Sequence, residues 1–415
     1  MIDVLRNAAY RRLFGAQLVA LVGTGLLTVA LALLAFDLAG GDAGFVLGIA
    51  LTIKMLAYVG VAPVVSALTT RVPRKTLLVS ADAVRAAVAV SLPFVTQTWQ
   101  IFVLIFVLQA ASASFTPAFQ AVIPEVLPRE RDYTRALSLS RLAYDLESLL
   151  SPILAAALLT VVSYNSLFVG TVLGFLGSAA LVLSTTLPAR HATATSLFLD
   201  RLTRGVRVFW RTPELRSLLA MNLVVATATS MVIVNTVVVV HSHFDRGQVD
   251  FAVALASYGL GSMIVALALP RLLDHCSDRT VMLTGCAALP AALVAAALVL
   301  LAPRESAAWA GLLAVWFVLG AATALILTPS ARLLRRSAND SNRPAVFAAQ
   351  FSLSHACFIV TYPLAGILGV TLGLAPTALL LAALGAVAAV VAVRTWPQAQ
   401  HGRTPKPERR RGILR

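Results

Sequence analysis

Ser66-Ala-Leu-Thr-Thr70-Arg71-Val-Pro-Arg74-Lys75-Thr76-Leu77 and Pro270-Arg-Leu-Leu-Asp274-His275-Cys-Ser-Asp278-Arg279-Thr280-Val281 are two versions of one basic turn, 204 residues apart. Each ends one long apolar run and begins the next. A second pair repeats as well, Phe115-Thr116-Pro117-Ala118 against Leu327-Thr328-Pro329-Ser330. A chain that repeats two separate features in this way is built from two copies of one unit, and the apolar runs around them show what the unit is made of.

Hydrophobic residues make up 59% of the chain and charged residues 12%, with a mean hydropathy of +0.86, which no water-soluble domain of 415 residues keeps in solution. The main solvent is lipid. A bilayer core takes roughly 20 apolar residues per helix, and only helices or closed barrels satisfy their backbone groups there. The runs are long and unbroken, so they read as helices, at 13–36, 44–69, 76–95, 99–120, 137–162, 167–187, 217–240, 251–273, 280–302, 309–329, 345–371 and 377–395. The expected fold is an all-α integral membrane protein of twelve transmembrane helices in two six-helix repeat halves. The halves are 1–187 and 217–396, joined by a central cytoplasmic loop at 188–216 and followed by a basic tail at 397–415. The first run has spanning length and follows a polar, basic stretch from Met1 to Arg12, so it is expected to stay in the mature protein and not to be cleaved as a signal peptide.

Lys and Arg in short loops gather on the cytoplasmic side of a membrane protein. Here Arg6, Arg11 and Arg12 precede the first span, Arg71, Arg74 and Lys75 follow the second, and Arg129, Arg131 and Arg135 follow the fourth. Arg190, Arg201, Arg204, Arg207, Arg211 and Arg216 follow the sixth, and Arg271 and Arg279 the eighth. Arg332, Arg335, Arg336 and Arg343 follow the tenth, and six more basic residues lie from 403 onward, whereas the opposite loops hold only Arg246 and Arg304. Both termini are therefore expected in the cytoplasm, in a multi-pass protein of the cell membrane. The net charge of +15 and the isoelectric point near 10.9 follow from this topology, and without an interleaved aromatic platform no nucleic-acid partner is expected. The tail is expected to touch anionic lipid or to stay unstructured, and Phe198 to Trp210 reads as an amphipathic basic helix on the cytoplasmic surface. Cys276, Cys286 and Cys357 all fall in spans or on the cytoplasmic side, so no disulfide is expected.

Transporters are commonly built from repeats with the substrate site between them. Twelve spans, a six-plus-six repeat and a basic turn after the second and eighth spans resemble the major facilitator superfamily, over nearly the whole chain. That family's signature is Gly-x-Leu-Ala-Asp-Arg-x-Gly-Arg-Arg/Lys; Leu68, Arg71, Arg74 and Lys75 match it, while Ser66, Thr70 and Pro73 replace Gly, Asp and Gly. The resemblance implies a cytoplasmic gate latched by charge and helix-dipole contacts, with Arg71, Arg74 and Lys75 in it, Asp82 and Arg85 beside it, and Asp274 in the acidic slot of the second half. Arg11-Arg12-Leu-Phe-Gly-Ala-Gln, Phe115-Thr-Pro-Ala-Phe-Gln and Ile123-Pro-Glu-Val-Leu-Pro are similar to the drug and siderophore exporter branch. Three other stretches resemble a sub-branch that includes nickel-resistance exporters: Arg135 to Glu147, Asn235-Thr-Val-Val, and Gln350-Phe-Ser-Leu-Ser-His-Ala-Cys357. The histidine-rich tail usual in nickel-resistance exporters is absent.

Ionisable residues at membrane depth cost about 2.5–3.5 kcal/mol each at the bilayer centre, so each needs a partner or a wet cavity. In the fifth span Arg141 and Asp145 are four residues apart, on one face with Ser148 and Pro152, and can neutralise each other as a structural pair. Glu147 points about 200° away from Asp145, on a stripe with Tyr144 and Ser151. A lone carboxyl so placed suits a proton carrier that loads and unloads near neutral pH. Lys54 in the second span reads as a cavity cation or as the partner of an acid, and Asp82 with Arg85 as an ion pair ordering the turn before the third span. Asn235 in the seventh span is a cavity amide or a helix-packing one. His355 and Cys357, beside Gln350, Ser352 and Ser354, stand opposite the acids of the fifth span in the repeat; imidazole and thiol suit nickel, cobalt, zinc or copper, and a lone intramembrane histidine also serves packing. His241, His243 and Asp245 alternate, so an extended segment would turn all three one way toward a divalent ion.

No Gly-x-x-x-x-Gly-Lys-Ser/Thr, His-Glu-x-x-His or Gly-x-Ser-x-Gly run occurs, so neither that ATP cradle nor those catalytic arrangements are present. The expectation is a secondary transporter, not an enzyme, without a cofactor. Its leading activity is proton-coupled efflux of a small solute such as a drug or metabolite. Export of a divalent cation of the nickel or cobalt type is the first alternative, and a non-transporting membrane sensor or scaffold the second. Expected partners are the lipid bilayer, a small-molecule or cation substrate and protons, with a monomer as the family default. The resemblance further implies rocking of the halves around a midplane cavity lined mainly by the first, fourth, seventh and tenth spans.

Overall fold

A backbone out of reach of water has to bond to itself, and long apolar runs therefore become long helices. The computed structural model describes residues 2–61, 72–186, 198–303, 305–337 and 343–396, and no strand occurs among them. The first half holds α1 (Ala8–Ala39), α2 (Ala43–Leu56), α3 (Arg74–Ser91), α4 (Thr98–Val126), α5 (Glu130–Leu159) and α6 (Tyr164–Leu183). A bridging helix α7 (Phe198–Arg211) leads to α8 (Pro213–Val238), α9 (Gln248–His275), α10 (Asp278–Leu301), α11 (Ser306–Ser337), α12 (Arg343–Thr371) and α13 (Leu374–Thr395). Local chemistry sets several ends. Asn7 accepts from the Tyr10 amide at 3.1 Å to start α1, and the Ser277 hydroxyl accepts from the Thr280 amide at 3.1 Å to start α10. Among the described residues nine segments are long and apolar enough to cross a membrane, the first, Ala8–Gly60, running through both α1 and α2.

Several helices outrun the apolar stretches that announced them. The fourth span was expected at 99–120 and the tenth at 309–329, whereas α4 continues to Val126 and α11 to Ser337. Hydropathy stops where lipid stops, but the hydrogen-bond ladder continues into the polar rim. In the second span α2 passes at Leu56 into a π-helical turn, Ala57–Val61, and the rest of the expected run to 69 lies outside the described residues.

Within the first half α1 lies on α5 and α6, and α3 lies on α4 and α6; within the second, α8 lies on α12 and α13, and α10 on α11 and α13. The halves meet along two helix pairs, α2 with α12 and α5 with α9. The repeat exchanges α2 with α9 and α5 with α12, so these two seams are one contact made twice, as a pseudo-twofold requires. The α2–α12 seam is backbone on backbone. A Cβ added at Gly48 would stand 2.7 Å from the Tyr362 carbonyl oxygen, so only glycine fits there. Helix α7, expected as an amphipathic surface helix, packs on α12 and α8 with Phe209 buried and Trp210 exposed.

Asp82 and Arg85, expected as an ion pair, form one that is buried in the first half. The carboxylate and guanidinium pair with each other, and the guanidinium lies 4.4 Å from the Phe115 ring centre and 4.6 Å from that of Phe175. Two aromatic faces and a carboxylate offset part of the cost of burying the arginine, whose Nε is buried without a hydrogen bond among the described residues.

Candidate transport site between the halves

Three helices of the first half and one of the second enclose a cavity of about 30 Å³, lined among others by Thr24 and Thr28 of α1, Lys54 of α2, Ile105 and Gln109 of α4, and Ile233 of α8. The family resemblance implied the first, fourth, seventh and tenth spans; the second span takes the place of the tenth here. Lys54 comes just before the π turn, and a π turn widens a helix where function often needs it. Its ammonium lies 5.9 Å from the centre of the Tyr58 ring and makes no hydrogen bond or ion pair with any described residue. Its charge reaches two further groups, Glu147 of α5 and His355 of α12.

Glu147 and Ser151 lie on one stripe of α5, as the helical period requires, and both face Gly25 of α1. A Cβ at Gly25 would overlap the Ser151 hydroxyl and come within 3.1 Å of Glu147 Oε1. The Glu147 carboxyl is partly buried and has no hydrogen bond or ion pair with a described residue. His355 donates through Nδ1 to the Phe351 carbonyl at 2.6 Å, and its ring stands between Phe351, 4.1 Å away centre to centre, and Tyr58, 5.6 Å away. An aromatic line thus joins Lys54 and Tyr58 of one half to His355 of the other.

The other residues singled out in the sequence are dispersed. Arg71 lies outside the described residues, as do the side chains of Arg141 and Asp145. Asn235 packs between the halves away from the cavity: its amide donates to the Ala365 carbonyl at 3.1 Å, and its oxygen stands 2.7 Å from where a Cβ would lie on either Gly44 or Gly369. Gln350 exchanges hydrogen bonds with Asn222 of α8, at 3.2 and 3.3 Å. At the basic end, Arg74 opens α3 and Lys75 donates to the Thr185 carbonyl at 3.1 Å, tying α3 to the end of α6. Asp274 is exposed; Asp278, one turn further on, is the acid that meets Arg332 at 3.7 Å and Arg336 at 3.6 Å on α11.

The expected metal ligands do not converge. Among the described residues no group of three or more His, Cys, Asp or Glu side chains could hold an ion. Cys357 donates to the Leu353 carbonyl at 3.4 Å, and its two-residue offset from His355 turns the two side chains apart on a helix. His241 and His243 lie in a π-helical turn, Val239–His243, so alternate side chains no longer share a face. His241 bonds the Val237 carbonyl at 3.0 Å and lies tilted against the Phe36 ring, 4.5 Å away centre to centre, while His243 lies against Phe244 and Asp245 takes a φ of 53°. Gln109 and Tyr58 were not singled out in the sequence. The one signal for Gln109 was an amide inside the apolar run from Ile101 to Ala111.

Two pseudo-symmetric six-helix bundles with a cavity between them are the architecture of a membrane transporter. The sequence profile of the Major Facilitator Superfamily matches residues 13–310 and 218–414, and the chain belongs to that family. Macrolide efflux protein A of Streptococcus pyogenes is 23% identical over 281 residues, 66% of this chain and 68% of that one. The protein of the same name from Enterococcus faecalis is 24% identical over 238 residues, 55% and 73% of the two chains. A bacterial homolog of the human lysosomal transporter Spinster, solved in an inward-facing and unoccupied conformation, superposes with a TM-score of 0.71 at 12% identity, covering 95% of this chain and 99% of that one. The nucleoside transporter NupG gives 0.68 at 12% identity over 93% and 98%, and a bacterial metal transporter 0.64 at 12% over the same shares. At such identities these structures share the fold alone. The protein is a multi-pass transporter of the bilayer with small-molecule substrates.

Proposed function

We propose that the protein exports small amphipathic organic solutes from the cytoplasm in exchange for protons, by alternating access of its two halves. The observation that carries this reading is a pair of charged groups with no hydrogen bond or ion pair to a described residue: Lys54, which lines a cavity walled by both halves, and Glu147, which feels the Lys54 charge. A permanently paired carboxyl is structural; one with no fixed partner is free to take up and release a proton as its surroundings change. The aromatic contact from Tyr58 to His355 gives the movement of one half a direct route to that cluster. Export is supported by the relatives named macrolide efflux proteins, and the placement of the basic rim in the cytoplasm by the loop charge rule.

A growth challenge tests it. A strain lacking its own exporters, with and without this protein, is grown on graded erythromycin, tetraphenylphosphonium, an amphipathic carboxylate and nickel or cobalt salts. Resistance to at least one organic compound, lost in Glu147→Gln, is the expected result. Resistance confined to the metal salts, or no resistance to any compound, contradicts the proposal.

A further inference from the structure

Proton exchange at Glu147 leaves one side chain of the cavity without a task. Gln109 on α4 is 6% exposed, lines the same cavity as Lys54, and makes no hydrogen bond with any described residue. Buried amides are almost always bonded, and one that is not, facing a cavity, is a donor waiting for an acceptor. The two threonines nearby are spent: Thr24 donates to the Ala20 carbonyl at 2.9 Å and Thr28 to the Thr24 carbonyl at 3.1 Å, both within α1. Among the described residues the unspent donors facing this space are therefore the Lys54 ammonium and the Gln109 amide. A lysine head has three donors and no acceptor. Among the described residues no acidic side chain lines the cavity, and the remaining walls are apolar, with Leu27, Leu51 and Ile105 among them.

The charge and the size select the ligand group. A cation brought here would meet the Lys54 charge directly, while Glu147, the acid that feels that charge, is not among the lining residues. A volume of about 30 Å³ holds roughly two waters, the footprint of the two oxygens of a carboxylate. We infer that Lys54 and Gln109 form a subsite for the carboxylate of an amphipathic solute, Lys54 as counter-charge and Gln109 as the amide donor that orients it. The inference names the substrate class for the export reading above and rests on that reading for the direction of movement alone.

Binding to the full chain in lipid nanodiscs tests the subsite independently of transport. 4-Phenylbutyrate is titrated against its neutral counterpart 4-phenylbutyramide. The carboxylate is expected to bind at least tenfold more tightly than the amide. Lys54→Met removes that preference, Lys54→Arg, which keeps the charge, retains most of it, and Gln109→Leu weakens the carboxylate threefold to tenfold with little effect on the amide. Equal affinity for the two ligands, no saturable binding of the carboxylate, or a preference that survives Lys54→Met overturns the subsite. Failure of the export reading shows separately, as solute accumulation in cells that the protein leaves unchanged.

Discussion

The backbone at Gly48 of α2 passes so close to Tyr362 of α12 that an added Cβ would stand 2.7 Å from the tyrosine's carbonyl oxygen. The contact is repeated one turn away, where a Cβ at Gly366 would stand 2.5 Å from the Gly44 carbonyl oxygen. In lipid, helix association depends on close packing more than on the hydrophobic effect, so glycines facing each other close this seam between the halves. Gly48→Val is expected to force the seam apart at about 1–3 kcal/mol, the usual range for overpacking. Export should fall strongly while thermal unfolding shifts only moderately; unchanged export would mean that the seam is not closed in the working cycle.

Gly25 governs the position of Glu147. Because a Cβ there overlaps the Ser151 hydroxyl and crowds Glu147 Oε1, Gly25→Ala should reduce export at least tenfold. Adding Ser151→Gly, which clears the space, should restore a large part of it. Export rates of the single and double variants decide this, and a double variant no better than Gly25→Ala would count against the steric cause.

The Asn222–Gln350 pair ties α8 to α12 with two reciprocal amide bonds at 3.2 and 3.3 Å. Interhelical hydrogen bonds in membranes average only about 0.6 kcal/mol in double-mutant cycles. A cycle through Asn222→Ala and Gln350→Ala, read by unfolding in detergent, should give a coupling of that order. A coupling of several kcal/mol would show that the pair supports more than its own two bonds.

Asp278 holds Arg332 at 3.7 Å and Arg336 at 3.6 Å, with its own side chain 8% exposed and the arginines at 60% and 64%. Such half-exposed pairs add little to stability. Asp278→Asn is therefore expected to leave the unfolding temperature nearly unchanged but to alter the export rate, because it frees the end of α11 from the start of α10. An unfolding temperature lowered by many degrees with an unchanged rate would make the contact structural.

What the sequence disclosed was what obeys a period or a count. Spans, halves and the Glu147–Ser151 stripe all follow from apolar run length, from repetition and from the helical turn. What it hid depended on how helices face each other. Asn235 was legible as a polar group at depth, but its burial between Gly44 and Gly369 needed the α2–α12 packing. Asp274 occupied the acidic slot by alignment, yet Asp278 carries the contact, because the helix start at Asp278 aims that side chain at α11. His241 and His243 suggested a ligand pair only if extended, and the π turn removed that condition. Gln109 has no partner in sequence at all; its meaning comes from the cavity it shares with Lys54.

The most direct measurement is solute-induced proton movement in everted membrane vesicles that carry the full chain and maintain a pH gradient. The solute is the organic compound to which the protein confers resistance. Adding it should partly collapse the gradient in vesicles with the wild-type protein and leave it intact with Glu147→Gln, at equal protein levels. A collapse that persists in Glu147→Gln, or solute accumulation without proton movement in the wild type, would contradict proton-coupled export through Glu147.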